Sequence, residues 1–395
     1  MKKNLFLFLL IFITANSFAQ ANSSYRNNIP IQFNDGLQTA SLSDVDIDST
    51  KIMELTDSIV SGYFPNIHSL LILRHGKLVY ENYFPGQDEI LVFGSDNIKQ
   101  VKGDNIGLAN SQKDSLHDLR SISKSFVSAC IGIAIAQGRI KNENQNIWHF
   151  FPEYSYLDTG MKSAITIKDL LTMTSGLAWN EVITYMDSAN SETQMDQSPD
   201  PIKFVLSRKS VDTPGTIWNY SGGNTQLLGA IIKKVSGMEV DDYAREYLFR
   251  PLGITNFYWS KFPSTSVRIG APAAASGLRL SSRDMLKFGL LYMNKGKWKG
   301  KQIVPADWVK DSFSSQINRG KPNWDYGYQF WVQSDSLKGE LLRLEGAVGN
   351  GDQRIYFDEV HDLVIVITAG NYNKDIKHNS WELLWKYILP ALIKQ

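Results

Sequence analysis

The chain has 395 residues, with 41 basic and 40 acidic side chains, six histidines and a single cysteine. Near-neutral charge argues against nucleic acid or an anionic membrane surface as partner. One cysteine, Cys130, permits no intrachain disulfide, and no two histidines have the spacing of paired metal ligands, so neither metal nor cofactor is expected.

The chain begins with Lys2 and Lys3, an apolar run from Leu5 to Ile13, and the small residues Ser17 and Ala19 around Phe18. A basic start, a short apolar core and a small-x-small exit are the pattern of a cleavable secretory signal over residues 1–19. The run falls short of the roughly 20 residues that span a bilayer, and no later apolar stretch reaches that length. Cleavage would remove two lysines and no acid, leaving 39 basic against 40 acidic residues in a periplasmic or secreted protein.

Residues 20–50, rich in Asn, Ser and Asp, read as a loosely ordered leader. The stretch "SLLILRHGKLVYENYF" (69–84) holds two β-rich runs about a His-Gly-Lys turn, a hairpin signal. A polar stretch over roughly 86–116 is expected to be loop. "LRSISKSFVSACIGIAIAQG" (119–138) then predicts an apolar helix that ends at Gln137 with Gly138 as its cap, and Cys130 inside it as inert packing. From about 139 to 290, apolar residues recur at three and four positions and predict helices. The chain closes with strand-like "QRIYF" and "LVIVITAG" and the amphipathic "SWELLWKYILPALIK". Strands at both ends and helices between them predict an α+β fold. Its antiparallel sheet is built from 51–138 and 291–395, a mostly helical region over 139–290 is inserted, and the active site lies between the two regions.

A helix that buries its stem yet opens with Ser121, Ser123, Lys124 and Ser125 raises a question of cost, since a buried ammonium must be paired or neutral. Ser121 and Lys124 are three residues apart and meet on one helical face. A neutral amine there can take the proton of the serine hydroxyl, and the free N–H groups of the helix start can face an oxyanion. The same spacing also fits an N-cap, Ser121 or Asp118, followed by a solvated lysine. Two further stretches bear on the choice. "DTPGTIWNYSGGNTQLLG" places Tyr220 in a Gly-rich turn before a helix, and "EGAVGNGDQRIYF" places a glycine run before a strand. The first offers a third proton-relay group, and the second a strand edge that a substrate can approach closely.

In this order, "LRSISKSF", "ITIKDLLTMTSGL", "PGTIWNYSGGNTQLLGAI", "FRPLGITNFYW", "YGYQFWV" and "AVGNGDQ" resemble the serine β-lactamase and penicillin-binding-protein superfamily. The likeness runs from about Leu70 to the C-terminus. It is strongest to the class C-like branch of esterases, D-amino-acid peptidases and amidases, and within it to 6-aminohexanoate-dimer-hydrolase-like proteins. The resemblance implies a β-lactamase/transpeptidase-like fold with Ser121 as acylated nucleophile, Lys124 as general base and Tyr220 as proton shuttle to the leaving group. It implies an oxyanion hole from the backbone N–H groups of Ser121 and Asn350, and substrate contacts at Asn224, Gly349 and Gly351.

The sequence departs from the family pattern at three places. Tyr220-Ser221-Gly222 stands where many members have Tyr-x-Asn, with Asn224 two places later. Met173 replaces a frequent histidine, and Ala347-Val348-Gly349 replaces Lys-Thr-Gly or His-x-Gly, so the third motif lacks the cation that holds a β-lactam carboxylate. Arg343 or Arg354 would have to supply it. The expectation is therefore an extracytoplasmic serine hydrolase acting on a small amide, a D-amino-acid peptide, a cell-wall fragment or an ester. The alternative is a non-turnover, penicillin-binding-like sensor or cell-wall binding protein. The polar stretch over 178–201 either covers the site or is a remote surface loop.

Overall fold

The computed structural model describes residues 29–86, 115–262 and 270–392. The signal expected over 1–19 and nearly all of the polar stretch 86–116 lie outside the described residues. Among the described residues nine strands form the main sheet: β1 (Gln38–Thr39), β2 (Ile67–Arg74), β3 (Lys77–Tyr83), β4 (Ile317–Lys321), β5 (Trp324–Tyr326), β6 (Trp331–Leu337), β7 (Glu340–Gly349), β8 (Gln353–Asp358) and β9 (Leu363–Ala369). Their order across the sheet is β1-β3-β2-β9-β8-β7-β6-β5-β4. The pairing of β2 with β9, Ile72 opposite Ile365, joins the two ends of the chain. Every pairing is antiparallel except the two-residue contact of β1 with β3.

Central strands β2 and β9 are buried along their whole length, because each face of the sheet carries its own core. Side chains alternate between the faces with period two. Leu71, Leu73, Val364 and Val366 join the core shared with the helical region. Leu70, Ile72, Ile365 and Ile367 face the core under helix α1 (Ser49–Val60) and the C-terminal helical segment from Ser380 to Leu392. On the first face lie α2 (Ser123–Ala136), α3 (Gly222–Ser236) and α4 (Ser282–Met293). Helix α2 is buried from Ser123 to Ala134, the all-round burial its composition demands. Gln137 follows as its C-cap, and Gly138 has φ 69°.

Two boundaries differ from the sequence reading. The second half of the segment expected to be a loose leader is part of the fold: Leu37, Val45 and Ile47 are buried and β1 pairs with β3. Its few apolar residues are isolated among polar ones, so composition concealed the burial. Helix α4 packs on β2, β8 and β9, and therefore belongs with the sheet rather than with the helices before it.

Candidate active site

The polar head of α2 is explained residue by residue. Asp118 Oδ1 accepts from the Arg120 backbone N–H at 3.1 Å, and Arg120 takes φ 47°, a left-handed conformation that a non-glycine residue adopts only when its surroundings enforce it. A 3₁₀ turn over Arg120–Ile122 follows and leads into α2. Ser121 thus sits on that turn, two residues before the helix, where it lines a cavity of about 350 Å³. Ser123 and Ser125 are structural. The Ser123 hydroxyl donates to the Arg120 carbonyl at 2.6 Å and accepts from the Leu278 N–H at 3.0 Å. The Ser125 hydroxyl donates to the Gln329 carbonyl at 2.7 Å.

Lys124 is 1% exposed. Its Nζ donates to Ser121 Oγ at 3.0 Å and to the Ala275 carbonyl at 3.1 Å, so the buried ammonium has partners. Tyr220, in the residue before the α3 N-cap Ser221, brings its hydroxyl into hydrogen-bond contact with Ser121. Its ring lies 4.9 Å from Lys124 Nζ and packs at 5.4 Å on Trp331 of β6. Burial first, then the charge of Glu181, pushes the Tyr220 hydroxyl well above its usual range. That direction favours the protonated phenol. Two segments distant in sequence, the turn running into α2 and the turn before α3, place Ser121, Lys124 and Tyr220 together.

The opposite wall is the end of β7 and the turn after it, where Val348, Gly349, Asn350 and Gly351 line the cavity with Ser121. Asn350 is tied down by a reciprocal pair, its Nδ2 donating to Asn373 Oδ1 at 2.7 Å and its Oδ1 accepting from Asn373 N at 2.8 Å. Asn224, expected to contact substrate, does not reach this cavity. It is wholly buried in the first turn of α3, where its Oδ1 accepts from the Ser175 hydroxyl at 2.9 Å and its Nδ2 points at Met173 Sδ. A side chain three residues after the N-cap turns back into the helix-packing layer. Met173, with φ 61°, serves the same packing, its sulfur also receiving the Ser221 N–H at 3.4 Å.

The expectation of a cation-poor third motif is also revised. Ala347 is fully buried in the core, so the side chain at that position faces away from substrate. Arg343 is bound to Glu345 at 2.8 Å and to the Phe313 carbonyl. Arg354 does line the cavity, together with the exposed Lys374. Its guanidinium pairs with Asp352 at 2.8 Å and donates to the Gly349 and Gln353 carbonyls, both at 2.8 Å. The strand edge has thus been given an arginine held by an acid, with a lysine at the rim from the segment 371–379.

Residues 178–201 do contribute to the site. Tyr185 lines the cavity and stacks 5.6 Å from the Arg120 guanidinium. Behind it, Glu181 and Glu192 are buried at 8% and 1% exposure. Neither acid was singled out from sequence; eleven residues apart in a polar stretch, they share no period. Among the described residues no group of three or more His, Cys, Asp or Glu side chains is placed to hold a metal, and no helix is long and apolar enough to cross a membrane.

Comparison with known proteins bears on the family and the fold. Residues 68–386 match the family model described as Beta-lactamase. The chain is 24% identical over 300 residues to 6-aminohexanoate-dimer hydrolase of Paenarthrobacter ureafaciens, covering 70% of this chain and 71% of that protein. It is 27% identical over 195 residues to Protein flp of Staphylococcus aureus strain COL, covering 49% of this chain and 35% of that longer protein. The fold is similar to that of a class C β-lactamase from Rhodobacter sphaeroides, with a TM-score of 0.62, 15% identity, and coverage of 87% of this chain and 100% of that one.

Proposed function

The chain belongs to the beta-lactamase family of serine hydrolases, and within that family we propose that it hydrolyses an ester or amide through an acyl-enzyme at Ser121. The observation that carries this reading is the convergence of Lys124 Nζ and the Tyr220 hydroxyl on one Ser121 Oγ. In the reactive form the Lys124 amine is neutral and the hydrogen bond reverses, the Ser121 hydroxyl donating to Nζ. Oγ then attacks the substrate carbonyl while Lys124 takes its proton. Backbone N–H groups of Ser121 and Asn350, on facing walls of the cavity, receive the developing oxyanion. Tyr220, a phenol, gives its proton to the departing amine or alkoxide and recovers one from the Lys124 ammonium. Water then hydrolyses the acyl-enzyme by the same relay in reverse.

The substrate class is a small amide, a D-amino-acid peptide, a cell-wall fragment or an ester. The similarity to 6-aminohexanoate-dimer hydrolase favours a linear amide. Lys374 and Asp375 at the cavity rim suit a substrate that itself carries charge. The site lies where the sheet and the inserted helical region meet, and the signal pattern of residues 1–19 supports a reaction outside the cytoplasm. Steady-state turnover of a short-chain p-nitrophenyl ester and of a linear amide dimer tests the reading. A single burst of product without turnover on either would instead identify a non-turnover sensor.

A further inference from the structure

Glu181 and Glu192 have no part in the relay just described, yet both are buried beside it. Their carboxyl groups meet at the start of α3, each acting on the other's ionisation, and two carboxyl groups so close relieve their repulsion by keeping one proton between them. They converge on Gly222, the first residue of α3. A Cβ there would stand 2.6 Å from Glu192 Oε2 and 3.3 Å from Glu181 Oε2. Glu181 Oε2 accepts from Trp179 Nε1 and from the Gly222 N–H, both at 2.7 Å, and its Oε1 accepts from the Tyr185 hydroxyl at 3.0 Å. Among the described residues neither carboxyl oxygen of Glu192 has a hydrogen-bond donor, and the group faces the charges of Lys124 and Arg120.

We propose that Glu181 and Glu192 share one proton and act as a single negative positioning charge for the Lys124 base, a role that rests on the acyl-transfer reading of Ser121. One charge is the useful number. It stabilises the ammonium that forms as Lys124 takes the Ser121 proton; two charges would hold that ammonium permanently, and none would leave it buried without a counter-ion. The environments divide the roles. Burial, then the Glu192 charge, pushes Glu181 well above the usual carboxyl range. Burial also acts to raise Glu192, but the Lys124 charge, the contact with Glu181 and the Arg120 charge together bring it below that range. The other titratable groups facing the pair are Tyr185 and Tyr220, both pushed well above the usual range chiefly by burial, and Asp196, which lies with Glu192 in the helix Ser191–Gln197 and faces Arg120.

The test is the pH dependence of Ser121 labelling by a fluorophosphonate, in which an Oγ–P bond forms, fluoride leaves and the hydroxyl proton passes to Lys124. Either Glu181→Gln or Glu192→Gln alone keeps one charge, because the remaining carboxyl ionises once its neighbour is neutral. The double variant keeps none. The acidic midpoint of the rate profile should move little in each single variant and fall by about one pH unit in the double, the size expected for loss of a nearby opposite charge. A full shift in one single variant, or none in the double, overturns the proposal. An infrared difference spectrum serves where the double variant is unstable. At neutral pH the wild-type-minus-variant spectrum should show the C=O stretch of one protonated carboxyl for each single variant, the Glu345 band cancelling; a difference spectrum without that band would refute proton sharing. Labelling that persists in Ser121→Ala would overturn the nucleophile reading, and the role of the pair with it.

Discussion

Gly349 passes so close to Leu119 that a Cβ on Gly349 would stand 2.2 Å from the Leu119 carbonyl oxygen. That contact presses the end of β7 against the turn bearing Ser121, and it sets the width of the gap in which an oxyanion would sit. No side chain fits there without moving backbone. Gly349→Ala should therefore destabilise the fold by about 1–3 kcal/mol, the usual cost of overpacking. It should also slow fluorophosphonate labelling of Ser121 under conditions where the variant is fully folded. Urea unfolding and labelling rates measured together check this, and an unchanged labelling rate would separate the strand from the chemistry.

Lys124 and Tyr220 should behave as one unit. Lys124→Ala is expected to lower kcat on a p-nitrophenyl ester by roughly 10² or more, the usual scale of general-base catalysis. Adding Tyr220→Phe should cost much less than the two single losses combined, since groups that serve one proton relay are non-additive. Full additivity in that cycle would show two independent contributions.

Glu345 gives a pH prediction for stability rather than activity. Its carboxyl, buried on β7, is pushed up from 4.5 to about 8, chiefly by burial. The folded chain holds this proton up to about pH 8 while the unfolded chain releases it near 4.5, so this group makes stability fall as pH rises across that window. Glu345→Gln should leave the melting temperature nearly unchanged at acidic pH and raise it by a few degrees at alkaline pH. Equal shifts at both ends of the range would remove the ionisation argument.

The elements most legible in the sequence were those whose signal is local. The hairpin about His75-Gly76, the apolar helix with Ser121 and Lys124 three apart, and Tyr220 before a capped helix all rest on short-range pattern. The paired ends of the chain were legible because β-rich runs stand only there, and the family resemblance supplied the order of the motifs. What stayed hidden depends on long-range contact. The side a residue faces at a strand end or in the first turn of a helix is set by packing, which is why Ala347 and Asn224 turn inward rather than to the cavity. Glu181, Tyr185 and Lys374 reach the site through irregular segments, and Glu192 through a helix of only seven residues, too short for its period to stand out in the sequence.

The most direct measurement is fluorophosphonate labelling of the purified protein followed by peptide mapping, with Ser121→Ala run in parallel and both proteins checked for an intact fold. A nucleophile at Ser121, activated by Lys124 at 3.0 Å, predicts one labelled peptide, the one that contains Ser121, and no label or ester turnover in the variant. Undiminished labelling of Ser121→Ala, or a label mapped to any other peptide, would contradict the account.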